Sequence, residues 1–161
     1  MNWDIIQKSF DQLTPRELYD VMQLRMEVFV VEQTCIYNDA DGRNDWQGHH
    51  TLIYDKSVLV AYARMIDTGI SFKNESSIGR IITKDTHRGT GLGKVLMDYC
   101  MSYIHEHFKT QKIRLSAQVY AIAFYNKCGF EAIGEEYMED NIPHTNMITA
   151  AVTDKNFYTQ H

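Results

Sequence analysis

The sequence is poor in the residues that mark secreted scaffolds, membrane spans and polyanion binders. Only three cysteines occur, Cys35, Cys100 and Cys128. Their odd number and wide spacing exclude a disulfide frame and a zinc site and predict reduced thiols. Only two prolines occur, Pro15 and Pro143, and no linker, repeat or low-complexity tract is visible. No apolar run approaches the roughly 18 residues of a membrane span. The opening Met1-Asn2-Trp3-Asp4 lacks a basic stretch followed by an apolar one, so no signal peptide is expected and the location expected is cytoplasmic. Positive charge is in the minority too: Lys and Arg number 16 against 21 Asp and Glu, a formal charge of −5. No broad nucleic-acid surface and no membrane partner are expected.

What is present is a chain of 161 residues, 44% of them hydrophobic, enough for one domain with a core. The expected domain runs over residues 1–152, with a tail over 153–161. Strands are predicted over 3–10, 49–54, 58–66, 77–83, 113–119, 130–138 and 145–152, from alternating or continuous apolar, β-branched runs. A helix is predicted from Thr14-Pro15, with Thr14 as N-cap, Pro15 at the first helical position and Glu17 completing a capping box. Leu18, Val21, Met22, Val28 and Phe29 form its apolar stripe. Arg25 falls in the same stripe, either paired with a nearby carboxylate or serving as a pocket charge. Asp39, Asp41 and Asp45 resemble a calcium loop only in spacing, since the ligand pattern and closing Glu are missing. No metal site is expected, and the segment from Tyr37 to Asp45 reads as a loop over a site.

The chain is organised around residues 77–107. An apolar strand, Ser77 to Thr83, leads into Arg88-Gly89-Thr90-Gly91-Leu92-Gly93-Lys94. A helix follows, with Leu92, Val95, Leu96, Tyr99, Cys100 and Tyr103 at helical spacing. Strand, glycine-rich turn and helix start together present free backbone N–H groups and a positive dipole end to an anion. The spacing excludes a P-loop, because Arg88 stands where its first glycine belongs and Val95 where its hydroxyl belongs. It also departs from the dinucleotide fingerprint, whose third glycine comes one residue later. The next strand, 113–119, is expected to run parallel through the helical crossover.

The pattern [QR]-x-x-G-x-[GA], met at Arg88 to Gly93, resembles the pyrophosphate loop of the GCN5-related N-acetyltransferase (GNAT) superfamily. A second segment, Gln118 to Phe130, resembles that family's N-x-x-A-x-x-x-Y-x-K-x-G-F, with Gln118 in place of Asn. Leu24-Arg25, the run Val28 to Gln33, the Tyr37/Asp39/Asp41-Gly42 loop, Ala61 to Arg64, Ile78-Gly79-Arg80 and the turn Asn141 to His144 are similar to the ElaA-like branch. The resemblance covers about Leu18 to Val152. It implies an α/β (α+β) fold, a central mixed twisted sheet of six or seven strands flanked by helices. It also implies acetyl-CoA as the cofactor, transferred to a small-molecule or peptide amine acceptor by direct attack. The alternative is a non-catalytic acyl-CoA-binding module of the same fold. A homodimer is left open.

Carried over by position, the resemblance implies that Arg88, Gly89, Thr90, Gly91, Leu92, Gly93 and Lys94 hold the pyrophosphate. Ile81, Ile82 and Thr83 would pair with the pantetheine arm and supply a backbone oxyanion donor, and Gln118 would hydrogen-bond that arm. Tyr125 matches the tyrosine near the sulfur, although an aromatic on the inner stripe of a short helix also reads as core. For the base, Glu32, His144 and water stand open. His144 is expected in a turn after Pro143, with Glu139 and Asp140 just upstream. Phe29, Glu32, Arg64, Arg80 and His144 are the candidates for the acceptor pocket. Arg64 and Arg80 have a second reading, as neutralisers of Glu27 or Glu32.

Overall fold

The computed structural model describes residues 2–108 and 112–149. The end of the last strand predicted to Val152 and the tail from Thr153 lie outside the described residues. Seven strands are hydrogen-bonded in the order β1-β2-β3-β4-β5-β7-β6. They are β1 (Asp4–Ser9), β2 (His49–Asp55), β3 (Val58–Ile66), β4 (Ser76–Thr83), β5 (Ile113–Gln118), β6 (Phe130–Glu139) and β7 (Ile142–Thr149). The helices are α1 (Pro15–Arg25), α2 (Asn44–Gln47), α3 (Leu92–His107) and α4 (Ile122–Lys127). The sheet is mixed, as expected: β4 and β5 pair in parallel while β1–β2, β2–β3, β5–β7 and β6–β7 are antiparallel.

The chain forms two compact units. The first takes in the residues up to Ile66 together with Arg80–Leu96. Its α1 starts as predicted: Thr14 Oγ1 accepts the Glu17 N–H at 3.1 Å, and the Glu17 carboxylate accepts the Thr14 N–H at 3.0 Å. Such a cap contributes about 1 kcal/mol. The core of this unit gathers Val21, Leu24 and Val28 with Leu52, Leu59, Tyr62 and Ile82. Leu18 and Met22, placed in the stripe by periodicity, are only half-buried, and Leu24 takes the inner position.

After Arg25 the helix widens into a π-helix, Met26–Glu32. Its i→i+5 bonding continues past the end, with Cys35 N–H donating to the Val30 carbonyl at 3.0 Å. The widening has a consequence for side-chain direction. Five-residue spacing places Glu27 and Glu32 on one side, which a turn of 3.6 residues would not. Lys84 meets Glu27 at 3.1 Å and Arg88 meets Glu32 at 2.5 Å.

The second unit takes in Asp67–Gly79 and the described residues from Met97 onward. Met97, Cys100, Met101 and Ile104 of α3 are buried with Leu115, Ala117, Phe130 and Met147. The buried stripe of α3 is thus rotated from the predicted one: Met97 and Met101 are inside, whereas Tyr99 is exposed. Registered pairing of β4 with β5 is confined to Ser76↔Ile113 and Ser77↔Arg114. The β6–β7 turn corrects another expectation. Asp140 and Asn141 both have positive φ, +50° and +63°, the signature of a two-residue hairpin turn. Pro143 and His144 therefore belong to β7, where Pro143 pairs with Met138 and His144 with Tyr137. Proline is tolerated there because the β5 ladder reaches only to His144, so its absent N–H removes no bond on that side.

Candidate active site

The glycine-rich loop belongs to the first unit. Gly89 and Gly91 have φ of +78° and +88°, a region that other residues enter only at a cost, and a Cβ built on either would have nothing within 4 Å. The backbone is therefore open to an approaching group above both residues. Thr90 Oγ1 donates to the His87 carbonyl at 2.6 Å and Arg88 Nε to the Thr83 carbonyl at 3.0 Å, so the loop is held by its own side chains. Leu92, Gly93 and Lys94 open α3, whose first bond of this kind runs from Val95 N–H to the Gly91 carbonyl at 3.2 Å. The N–H groups in the first turn of a helix have no acceptor in a preceding turn, and the dipole there is positive, so a helix start of this kind suits an anion. Open space, left-handed glycines, helix start and Arg88 together fit a pyrophosphate.

Arg88 is not idle. Its guanidinium pairs with Glu32, itself about two-fifths exposed at the side chain. Glu32, a candidate base in the sequence, is thus engaged by the loop's own arginine. Ile81 and Thr83 are half-buried on β4, whereas the Ile82 side chain is in the core. Phe29 packs partly on that same core.

Arg25, Arg64 and Arg80 meet three aspartates that the sequence placed in a loop. Arg25 Nε donates to Asp39 Oδ2 at 2.5 Å, and its Nη1 to Asp45 Oδ1 at 2.7 Å. Arg64 Nη1 donates to Asp45 Oδ1 at 3.0 Å and lies 3.6 Å from Asp41 Oδ2. Arg80 Nε stands 2.7 Å from Asp39 Oδ1. Neutralisation of Glu27 or Glu32 by Arg64 or Arg80 is thereby corrected: those glutamates meet Lys84 and Arg88 instead. The carboxylates that looked faintly like a calcium loop are the arginines' counter-ions. Arg25 has the buried pairing anticipated for it. Burial opposes its charge, yet the field of Tyr62 and the bonds to Asp45 and Asp39 raise its pKa further. Burial likewise works to raise the Asp45 pKa, and Arg25 and Arg64 more than reverse this, holding it below the usual carboxylate value.

Two partners of this network went unread in the sequence. Tyr37 donates its hydroxyl to Asp39 Oδ1 at 2.8 Å, and His50 sits between Tyr62 Oη at 2.7 Å and the Asp45 carbonyl at 3.0 Å. Burial pushes the His50 pKa down to about 4. The only sequence signal was the coincidence of three arginines at apolar-patterned positions with three closely spaced aspartates. Arg80 also has φ of +52° inside β4, which costs a residue with a side chain about 1–2 kcal/mol.

In the second unit, Tyr125 is buried against Phe124 and Phe130, with ring centroids 5.1 and 6.3 Å away. Burial pushes its phenol pKa up, helped by Tyr120 and Cys128. Gln118 is the cross-strand partner of His144. His144 is buried, and its Nδ1 lies 2.7 Å from the Ile142 carbonyl, an acceptor, so this nitrogen carries a proton. Its Nε2 is 3.6 Å from Glu139 Oε2. Tyr137 stacks on the imidazole with centroids 6.0 Å apart and also hydrogen-bonds Ser116. Among the described residues no group of His, Cys, Asp and Glu is arranged to hold a metal ion, and no helix is long and apolar enough to cross a membrane.

The sheet order and helices first define a class, the acyl-CoA N-acyltransferase fold. A crystal structure of an acyl-CoA N-acyltransferase from Pseudomonas aeruginosa matches with TM-score 0.81 and 37% identity, over 93% of this chain and 100% of that one. Escherichia coli ElaA matches by structure with TM-score 0.86 over 92% of this chain and 100% of that one. By sequence, E. coli ElaA is 36% identical over 149 residues, 91% of this chain and 95% of that protein. The sequence pattern described as "Acetyltransferase (GNAT) domain" matches residues 13–151. The chain belongs to the GNAT acetyltransferase family, in its ElaA-like branch.

Proposed function

We propose that this acyltransferase moves the acetyl group of acetyl-CoA to a primary amine of a small-molecule or peptide acceptor, by direct attack in a ternary complex. The observation that carries the reading is the loop of residues 88–94, with Gly89 and Gly91 left-handed and open at the start of α3. Acetyl-CoA supplies the thioester. Arg88, Lys94 and the backbone N–H groups of 89–93 bind its pyrophosphate. Ile81, Ile82 and Thr83 bind its arm through backbone groups, with Gln118 adding an amide. A backbone N–H of that β4 segment stabilises the carbonyl oxygen as charge develops on it.

His144 is proposed as the base. A hydrogen on Nδ1, held by the Ile142 carbonyl, leaves Nε2 to take the amine proton, and Glu139 stands by to stabilise the imidazolium. Tyr125 is proposed to assist the departing thiolate by hydrogen bonding. A phenol whose pKa is already raised by burial is a poor proton donor to a thiolate whose conjugate acid has a pKa near 8.5, so full transfer runs uphill. Its contribution belongs at the low end of the range for such groups, about 10²-fold or less. Tyr125→Phe keeps the ring and removes the hydroxyl; equal kcat under conditions where chemistry is rate-limiting removes the role.

The test of the reading is CoA release, followed with a thiol reagent, across a panel of polyamines, amino acids, aminoglycosides and peptides. Calorimetry with Gly91→Glu accompanies it. The variant places a carboxylate at the pyrophosphate position and should weaken acetyl-CoA binding by about 100-fold or more, equivalent to about 2.7 kcal/mol. Unchanged affinity overturns the loop assignment. Tight binding by the parent with no CoA released on any acceptor leaves the binding-module alternative.

A further inference from the structure

We infer that Arg80 is a positioning residue for acyl transfer: by gripping Asp39 it holds a left-handed kink in β4 directly before the segment Ile81–Thr83. The inference rests on the reading above, in which that segment binds the acyl-CoA arm and donates to the oxyanion. The observation behind it is a conflict within the strand. Arg80 carries φ of +52° in a strand spanning Ser76–Thr83, where a glycine would adopt the angle freely. A left-handed residue with a long side chain persists only where its surroundings over-determine it.

The surroundings here do so. Arg80 meets one residue at two points: Nη2 donates a hydrogen bond to the Asp39 carbonyl at 3.2 Å, and Nε stands 2.7 Å from Asp39 Oδ1 as an ion pair, its N–H not aimed at that oxygen. Asp39 is itself held from several sides. Arg25 holds its other carboxylate oxygen at 2.5 Å and its carbonyl at 3.0 Å, and the Tyr37 hydroxyl adds a bond at 2.8 Å. Both the Arg25 and Asp39 side chains are at most 3% exposed. On the far side of the segment, Lys84 N–H donates to the Val60 carbonyl at 2.8 Å, and Ile82 is sunk in the core. Residues 81–83 are therefore pinned at both ends.

The kink matters because N–H directions alternate along a strand. One left-handed residue resets which N–H groups of 81–83 point to which side, much as a register slip would. A donor displaced by about 1 Å from a developing oxyanion can cost 10²-fold in rate. The grip thus acts on the chemical step more than on affinity: the arm contacts of 81–83 shift with the kink, but the pyrophosphate contacts of the loop do not involve Arg80.

Arg80→Gly, Arg80→Lys and Asp39→Asn test this by steady-state kinetics with a turned-over amine, together with thermal melting. Arg80→Gly keeps the angle accessible and removes the grip. Its expected kcat is about 10- to 100-fold down, with KM for acetyl-CoA within about threefold of the parent. Arg80→Lys restores one contact to Asp39 and should give an intermediate kcat. A kcat for Arg80→Gly within twofold of the parent overturns the inference, and so does a Lys variant no better than Gly. Should Arg80→Gly fail to fold, Asp39→Asn decides: it keeps shape and removes charge, and an unaltered kcat overturns the role. A parent that releases no CoA on any amine overturns the acetyl-transfer reading and this inference with it. An active parent with an unaffected Arg80→Gly variant overturns this inference alone.

Discussion

Two sets of ion pairs in the first unit use the same chemistry in opposite surroundings. Arg25, Arg64 and Arg80 meet Asp39, Asp41 and Asp45 in a network whose central members are buried. Glu27–Lys84 and Glu32–Arg88 lie on the π-helix and the loop entry, with side chains between about a quarter and a half exposed. In the first set each charge has lost its water and depends on its partners. Loss of one partner leaves the others buried with their charge only partly matched. In the second set water can replace either partner, and the pair is worth little. The bonds of 2.5 Å found in both sets do not tell them apart; burial does. The first set fixes the 37–45 loop to α1, β3 and β4. The second leaves Arg88 exchangeable, which suits a residue proposed to turn from a carboxylate to a phosphate.

The largest effect expected from breaking this contrast is that of Arg25→Ala. It removes the cation that Asp39 and Asp45 share, leaving Asp39 to Arg80 and Asp45 to Arg64, and should destabilise the fold by about 3–5 kcal/mol. Urea denaturation measures it. A loss below about 1 kcal/mol would mean that the network behaves like a surface pair.

Acid titration gives the next effect. His50 is held neutral, its pKa moved from 6.5 down to about 4 by burial. The unfolded chain takes up a proton below about 6.5 while the folded one does not. Stability is therefore full above pH 6.5 and is lost as pH falls toward 4, by about 3 kcal/mol from this residue. Asp45, whose pKa is lowered, extends the loss below the ordinary carboxylate range as it is protonated. His50→Gln should flatten the slope between pH 6.5 and 4; denaturation curves across that window that remain as steep as the parent's would show that His50 is not its source.

The smallest effect belongs to the exposed set. Glu32→Gln should change stability by less than about 1 kcal/mol and tighten acetyl-CoA binding a few-fold, because Arg88 no longer has a competing carboxylate. The gain should shrink in high salt. Weaker binding in the variant would show that Glu32 orients Arg88 for the phosphate instead of competing with it. A loss of stability as large as that of Arg25→Ala would erase the distinction between the two sets.

The sequence by itself determined the fold order and the form of the glycine-rich loop. Thr14-Pro15-x-Glu17 states a helix start in local terms. Gly89 and Gly91 admit left-handed angles without the clash a Cβ brings. The β-branched runs state strands, and a strand, helix and strand in succession state a parallel pair. These signals are local, and each is written in consecutive residues. Asp140-Asn141 is equally local, a residue pair suited to the two left-handed positions of a tight hairpin turn. Tertiary structure alone decided the charge partners. Arg25, Asp39, Asp45, Arg64 and Arg80 are scattered over 56 positions of sequence number, and each arginine had several acidic candidates within reach of an extended side chain. The choice between Asp39 and Glu32 as counter-ion depends on where the π-helix turns its glutamates. It depends also on which carboxylates the fold removes from water, since there an unmatched charge is too costly to persist.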